Sequence, residues 1–268
     1  MIFLRMTYLC NNFFHLRWNF VIHSGIDGFS RLITHLNVHT NNLASTMLSD
    51  FLKAVERFSV PSRVRADCGG EFVHIKSFMN KVNGEGHNSF ITGSSVHNQR
   101  IERLWKDVFN KVVYKYHVIF TTMEENNALD IENNLELSCL HHTFARRIQS
   151  DLDFWKESHN NHPIRTENNK TPLQLWYSNS ALNIVTQSIA TQNLFRRDDF
   201  EDIIQEYREM NPQEPDNINH VLPRHPLPLT NSQLQELNDL VNVMQDSLSD
   251  GVDLYGQVLA FVKEKNAP

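Results

Sequence analysis

Two carboxylates, Asp67 and Glu102, stand 35 residues apart, each in a setting able to aim it. Acids brought together from distant segments can hold Mg²⁺ or Mn²⁺ against a phosphate, where the ion stabilises charge and activates an attacking oxygen. That chemistry needs Asp67 at the end of a buried strand and Glu102 on a helix packed beside it. Ser62 to Asp67 reads as a short strand, and Gly69 and Gly70 supply permissive turn backbone after it. From Asn98 onward, Ile101, Leu104, Trp105, Val108, Phe109, Val112 and Tyr116 recur at helical spacing. Glu102 lies at the flank of that apolar face, where an acid near a helix start also complements the dipole. The pair alone is not specific, because an Asp and a Glu at this separation occur in most acidic chains.

The elements that must position the pair are legible around it. Phe20 to Ile26 and Leu32 to Val38 read as two strands joined through Asp27-Gly28, a strong hairpin signal. Leu43, Met47, Phe51, Val55 and Phe58 line one face of a helix that starts after Asn41 and Asn42 and is closed by Pro61. Another short strand is expected at Ser89 to Thr92, before the long helix carrying Glu102. The order strand, strand, helix, strand, strand, helix predicts an α/β domain on a mixed sheet flanked by helices.

These segments resemble the catalytic core of retroviral integrases and related transposon integrases, a ribonuclease H-like fold. The resemblance rests on IDGFSRL at the hairpin, PSRVRADCGGEF, FITGSSVHNQRIERLW and NNHPIRTENNKTPLQLW, in family order over about residues 16–178. It looks closest to vertebrate integrase-core proteins derived from mobile elements. It implies three carboxylates binding two divalent ions (Mg²⁺ or Mn²⁺) and attack of a hydroxyl on a DNA phosphodiester. Asp67 and Glu102 match the second and third of these. Multimers, DNA as partner and a nuclear or intracellular location also follow from the resemblance alone.

The first carboxylate does not match. Residues 1–26 contain neither Asp nor Glu, and sliding the family pattern back from Arg17 and Trp18 puts Cys10 near the expected position. A thiolate is a soft ligand, better suited to zinc than to magnesium. Asp27 is the nearest substitute, but Asp beside Gly28 is also a natural turn residue that bonds its own backbone. Met1 falls inside what the resemblance makes the first strand, so an N-terminally truncated or otherwise impaired core is expected. Cys10, Cys68 and Cys139 form no Cys-x-x-Cys half-site of the zinc module that family members usually carry.

Charge divides the chain. Residues 1–178 hold 19 Lys and Arg against 17 Asp and Glu, whereas residues 179–268 hold 6 against 14. A dedicated nucleic-acid domain is usually more basic overall, yet Arg100, Arg103, Lys106, Lys111 and Lys115 cluster along the Glu102 helix, as phosphate contacts or as a solvated face. Asn98, one turn before Glu102, is a candidate nucleic-acid contact or a helix cap. His35 and His39 lie on or after a strand, where that spacing does not converge side chains, and His141 and His142 are adjacent, so no histidine metal site is expected. Trp105, Trp155 and Trp176 sit in apolar helical patterns and read as core.

The domain reading is a core over 1–120 with an incomplete first strand, its helical end over 121–178, and an acidic linker with C-terminal helices over 179–268. Met123 to Glu136 reads as a polar loop, Leu137 to His159 as a long helix, and Thr171 to Trp176 as a short one with an N-cap and first-turn proline. Thr230 to Leu248 and Val252 to Val262 read as amphipathic helices. No signal peptide, membrane span or disulfide framework is expected. The leading functional reading is a nucleic-acid-binding integrase core whose ancestral reaction is DNA integration. The alternative is a non-catalytic interaction or assembly module, and a third reading is a ribonuclease H-like nuclease.

Overall fold

A computed structural model describes residues 5–11, 15–66, 70–93, 99–185, 200–209 and 226–267. Its sheet has five strands: β1 (Arg5–Asn11), β2 (Val21–Asp27), β3 (Ile33–His39), β4 (Arg63–Ala66) and β5 (Phe90–Thr92), in the order β3-β2-β1-β4-β5. β1 to β3 form an antiparallel meander, and β4 and β5 run parallel to β1. Helices α1 (His15–Trp18), α2 (Ala44–Phe58), α3 (Val73–Asn83), α4 (Gln99–Val108), α5 (Tyr114–Glu125), α6 (Asn134–Asn161), α7 (Pro172–Val185), α8 (Phe200–Glu209), α9 (Asn231–Leu240) and α10 (Val252–Lys265) complete the described chain.

The first strand lies at the heart of the sheet. Arg5–Asn11 forms the central strand, paired with β2 over Met6–Asn11 and with β4 over Arg5–Thr7. A departure from expectation is α3, which joins parallel β4 to β5. Parallel neighbours need a crossover, usually helical, and Ile75, Phe78, Met79 and Val82 are buried at the spacing such a helix requires.

Two apolar layers cover the sheet. Ile22, Ile26, Leu36 and Val38 join the buried faces of α4, α5, α6 and α10. The other layer gathers Leu32, Val64 and Ala66 with α2, α3, Trp176 and the buried side chains of α8. Between α4 and α5, Phe109–Val113 forms a π-helical turn without breaking the rod. The wider turn lets Val108, Val112, Val113, Tyr116, Phe120 and Met123 all reach the core. In the acidic tail, α8 docks through Tyr207, whose hydroxyl shares a 2.7 Å hydrogen bond with that of Ser77, and through the ion pairs Lys81–Glu206 and Arg208–Glu56.

The outer edge of β3 is closed by two carboxamides of α6. Asn160 accepts from the Ile33 amide at 2.9 Å and donates to the Ile33 carbonyl at 3.0 Å. Gln149 accepts from the Val38 amide at 2.9 Å and donates to the Leu36 carbonyl at 3.1 Å. Each amide stands in for a neighbouring peptide, satisfying an edge that would otherwise invite another strand.

Gly25 is required by its partner strand. A Cβ at this position would lie 2.5 Å from His35 Cε1 and 2.8 Å from Thr34 Oγ1. His35 is buried, so its ring is packed on that side. Gly25→Ala is therefore expected to lower stability by about 2 kcal/mol through overpacking, read as a lower urea midpoint.

Candidate functional site

β4 ends at Ala66, directly before Asp67, and runs parallel to central β1. α4 packs against β1 and carries Glu102 in its first turn. Glu102, Arg103 and Lys106 are exposed, while Ile101, Leu104, Trp105 and Val108 are buried, so the sequence-predicted apolar face is the docked one. Asp67 and Asn98 lie outside the described residues, and of Arg100 only the backbone, within α4, is described.

Farther along the same rod, Lys115 is drawn into ion pairs with Asp250 at 3.4 Å and Asp151 at 3.8 Å. It belongs to the contact of this rod with α6 and with the turn before α10. Lys111 is exposed.

Asp27 is a turn residue. Its Oδ2 accepts from the Phe29 amide at 3.2 Å, the Ser30 amide at 2.7 Å and the Ser30 hydroxyl at 2.6 Å, and the residue is 1 % exposed. This is an Asx turn locking the hairpin. The register places Asp27 opposite Met6, at the beginning of β1, whereas Cys10 is opposite His23 near the other end. Four strand residues separate the two positions, about 13 Å. Because β1 and β4 are parallel, the end of β4 that leads into Asp67 points with the end of β1, away from Asp27. Of the two readings of Asp27, turn residue and substitute ligand, the contacts of its Oδ2 support the turn.

A second polar constellation was not anticipated. His23 Nδ1 lies 3.3 Å and His39 Nε2 2.7 Å from the same oxygen, Asp50 Oδ2, while Asn37 Nδ2 donates to Asp50 Oδ1 at 2.8 Å. The two rings are 4.6 Å apart, and all three groups are buried. His39 is opposite Val21 and Asn37 opposite His23, so the histidines are diagonal neighbours on the β2–β3 face covered by α2. The ring beside His39 comes from the adjacent strand. Burial lowers the affinity of His23 for a proton, opposed by its bond to Asp50. Burial alone would raise Asp50, but His39 and His23 hold its carboxyl well below the usual range. His141, by contrast, is a buried core residue whose Nε2 lies 2.8 Å from the Trp18 carbonyl.

A family model for the integrase core domain matches residues 7–190. The chain belongs to the integrase core domain family. Its sheet order and strand directions give the ribonuclease H-like α/β fold. Among solved structures, this family member is similar to the HTLV-2 integrase catalytic core in complex with magnesium, at 13% identity and TM-score 0.41 over 64% of this chain and 94% of that one. It is similar to the BIV integrase catalytic core at 14% identity and TM-score 0.44, over 67% and 97% respectively. A third is a simian T-cell lymphotropic virus intasome in complex with a PP2A regulatory subunit, at 15% identity and TM-score 0.42, over 64% of this chain and 53% of that one. A search of curated proteins gives no match. Among the described residues, no helix is long and apolar enough to cross a membrane.

Proposed function

We propose that this chain is a transposon-derived, DNA-binding integrase core in which DNA integration is the ancestral reaction and catalysis is impaired. The observation supporting this reading is the arrangement around β1. Its parallel neighbour β4 leads into Asp67, and α4 beside it carries Glu102, yet Arg5–Asn11 offers no acid between them.

The donor set decides what a divalent ion would find there. Asp67 and Glu102 are hard oxygen ligands, and two carboxylates completed by water suit Mg²⁺ or Mn²⁺. The two-ion arrangement that clamps attacking and leaving oxygens needs more. Cys10, in the part of β1 where the resemblance expects an acid, supplies sulfur, and Asp27 is committed to its turn. No strand-transfer step is derived through this set. Arg103 and Lys106, exposed on α4 with Glu102, and Asn98 and Arg100 just before them, would contact DNA phosphates and fix the duplex without reading sequence.

The same missing acid favours a second reading, a non-catalytic module that binds protein partners. Two measurements separate the possibilities. The wild-type chain is expected to bind duplex DNA with strong salt dependence, and Arg103→Glu with Lys106→Glu is expected to weaken binding at least about 10-fold and flatten the salt slope by about one per lost phosphate contact. Absence of binding at low salt would sink the DNA reading in favour of the protein-interaction one. Cys10→Asp is expected to gain Mn²⁺-dependent strand cleavage that Cys10→Asp/Asp67→Asn lacks. If Cys10→Asp stays inert while binding DNA and folding normally, impairment does not reside at β1.

A further inference from the structure

We propose that His23, His39 and Asp50 form a divalent metal site of the zinc class, clamping α2 onto the β2–β3 hairpin and separate from the Asp67–Glu102 pair. His23 Nδ1, His39 Nε2 and an Asp50 carboxylate oxygen all lie within 4.8 Å of one another. Two imidazole nitrogens and one carboxylate oxygen are a donor set suited to zinc rather than to magnesium or calcium, which take oxygen. Bonds of about 2.0–2.1 Å in a tetrahedral site put ligand atoms about 3.3 Å apart. His23 Nδ1 and Asp50 Oδ2 already have that separation, and the His39–Asp50 pair, now 2.7 Å apart, has only to open by about 0.6 Å.

The surroundings orient the set. Asn37 Nδ2 holds Asp50 Oδ1, which leaves Oδ2 aimed at both imidazoles, and the Asn42 carboxamide reaches His23. Metal ligands are commonly fixed by such outer hydrogen bonds. Each ligand stands on a regular element, His23 on β2, His39 on β3 and Asp50 on α2, so the geometry is set by sheet register and helix docking rather than by a loop. Apolar side chains would be the ordinary filling beneath a covering helix, and two imidazoles converging on one carboxylate oxygen are a costly alternative. A bound cation gives both rings and the carboxylate a common partner. His39, at 8 % exposure, marks the side from which an ion enters, and three protein ligands leave the fourth coordination position to water.

The test uses the full chain stripped with a chelator, then titrated with Zn²⁺ against a chromophoric competitor and followed in parallel by thermal unfolding. One equivalent is expected to bind with submicromolar Kd and to raise Tm by about 5 °C or more. His39→Asn, the most exposed ligand and therefore the substitution best tolerated, is expected to weaken binding at least about 100-fold while retaining the wild-type circular dichroism spectrum. Asp67→Asn is expected to bind zinc as the wild type does, which separates this site from the proposed DNA-processing pair. Co²⁺ is expected to give the intense visible absorption of a tetrahedral complex, lost in His39→Asn. Failure of the wild type to bind Zn²⁺ more tightly than about 10 μM, or unchanged binding in His39→Asn, would overturn the site and leave the proposed DNA function untouched.

Discussion

Phe120→Ala is expected to destabilise the fold by about 4 kcal/mol, the largest loss foreseen for a single side chain here. Phe120 is fully buried on α5, at the point where the helical rod, α6 and the polypeptide entering β2 meet. Its ring centroid lies 4.9 Å from Phe144 and 5.4 Å from Trp18, both edge-on, 5.9 Å from Phe20 in a stack, and 6.1 Å from Tyr116. Truncation removes the buried apolar surface and the aromatic contacts together. It also leaves a cavity that these rigid neighbours cannot close, because each ring is held by other packing or by hydrogen bonds. Trp18 is anchored through its indole N–H to Glu124 at 2.6 Å, and Tyr116 through its hydroxyl to Asp151 at 2.7 Å. Denaturant titration should show a lower midpoint with an unchanged slope. The control is Phe154→Ala on the outer face of α6: at 80 % exposure it is expected to change stability by no more than about 0.5 kcal/mol. A Phe120 variant as stable as that control would mean the two-layer core is packed differently.

How much of this was legible in sequence depends on whether the signal is local. The Glu102 helix announced itself because buried residues recur every three or four positions along one segment. The hairpin announced itself through Asp27-Gly28, and the observed strands lie one residue later than expected at each end. The pairing of Arg5–Asn11 on both edges was not legible, because it is a property of the sheet and not of the segment. α3 carried a readable stripe in Ile75, Phe78, Met79 and Val82, but intervening His, Lys, Ser and Asn residues diluted it.

The expected Thr230–Leu248 helix stops at Leu240, and the expected Thr171–Trp176 helix continues to Val185, since propensity places ends poorly even where capping boxes mark starts. Thr230 and Gln233 form such a box, as do Thr171 and Gln174. The His23–His39–Asp50 cluster was invisible for a different reason. Its members come from three elements, and only the β2–β3 register makes two of them diagonal neighbours. A pair formed across two strands leaves no spacing signature along either one.

Acid is expected to begin weakening the fold before the carboxylates protonate. Burial pushes His35 down to about 4, and burial together with Arg146 pushes His142 down to about 4. The unfolded chain, with histidine near its ordinary value of about 6.5, therefore binds more protons than the native state between pH 6.5 and 4. Stability must fall as pH falls through that window and flatten below it. For the fully buried His35 the loss at pH 4 is about 3 kcal/mol; the partly accessible His142 contributes about 2 kcal/mol after allowance for solvent screening. Asp50 acts in the same direction only at lower pH, because its carboxyl is held below the usual range and its stabilising effect is lost only as that group protonates. Urea midpoints measured from pH 7 to pH 4 should fall steadily, and His142→Gln, which keeps a polar side chain without a titrating ring, should lose about 2 kcal/mol less than the wild type across that range. An identical pH dependence in the variant would show that His142 gains its proton without a folding penalty, and that its pocket on α6 admits water.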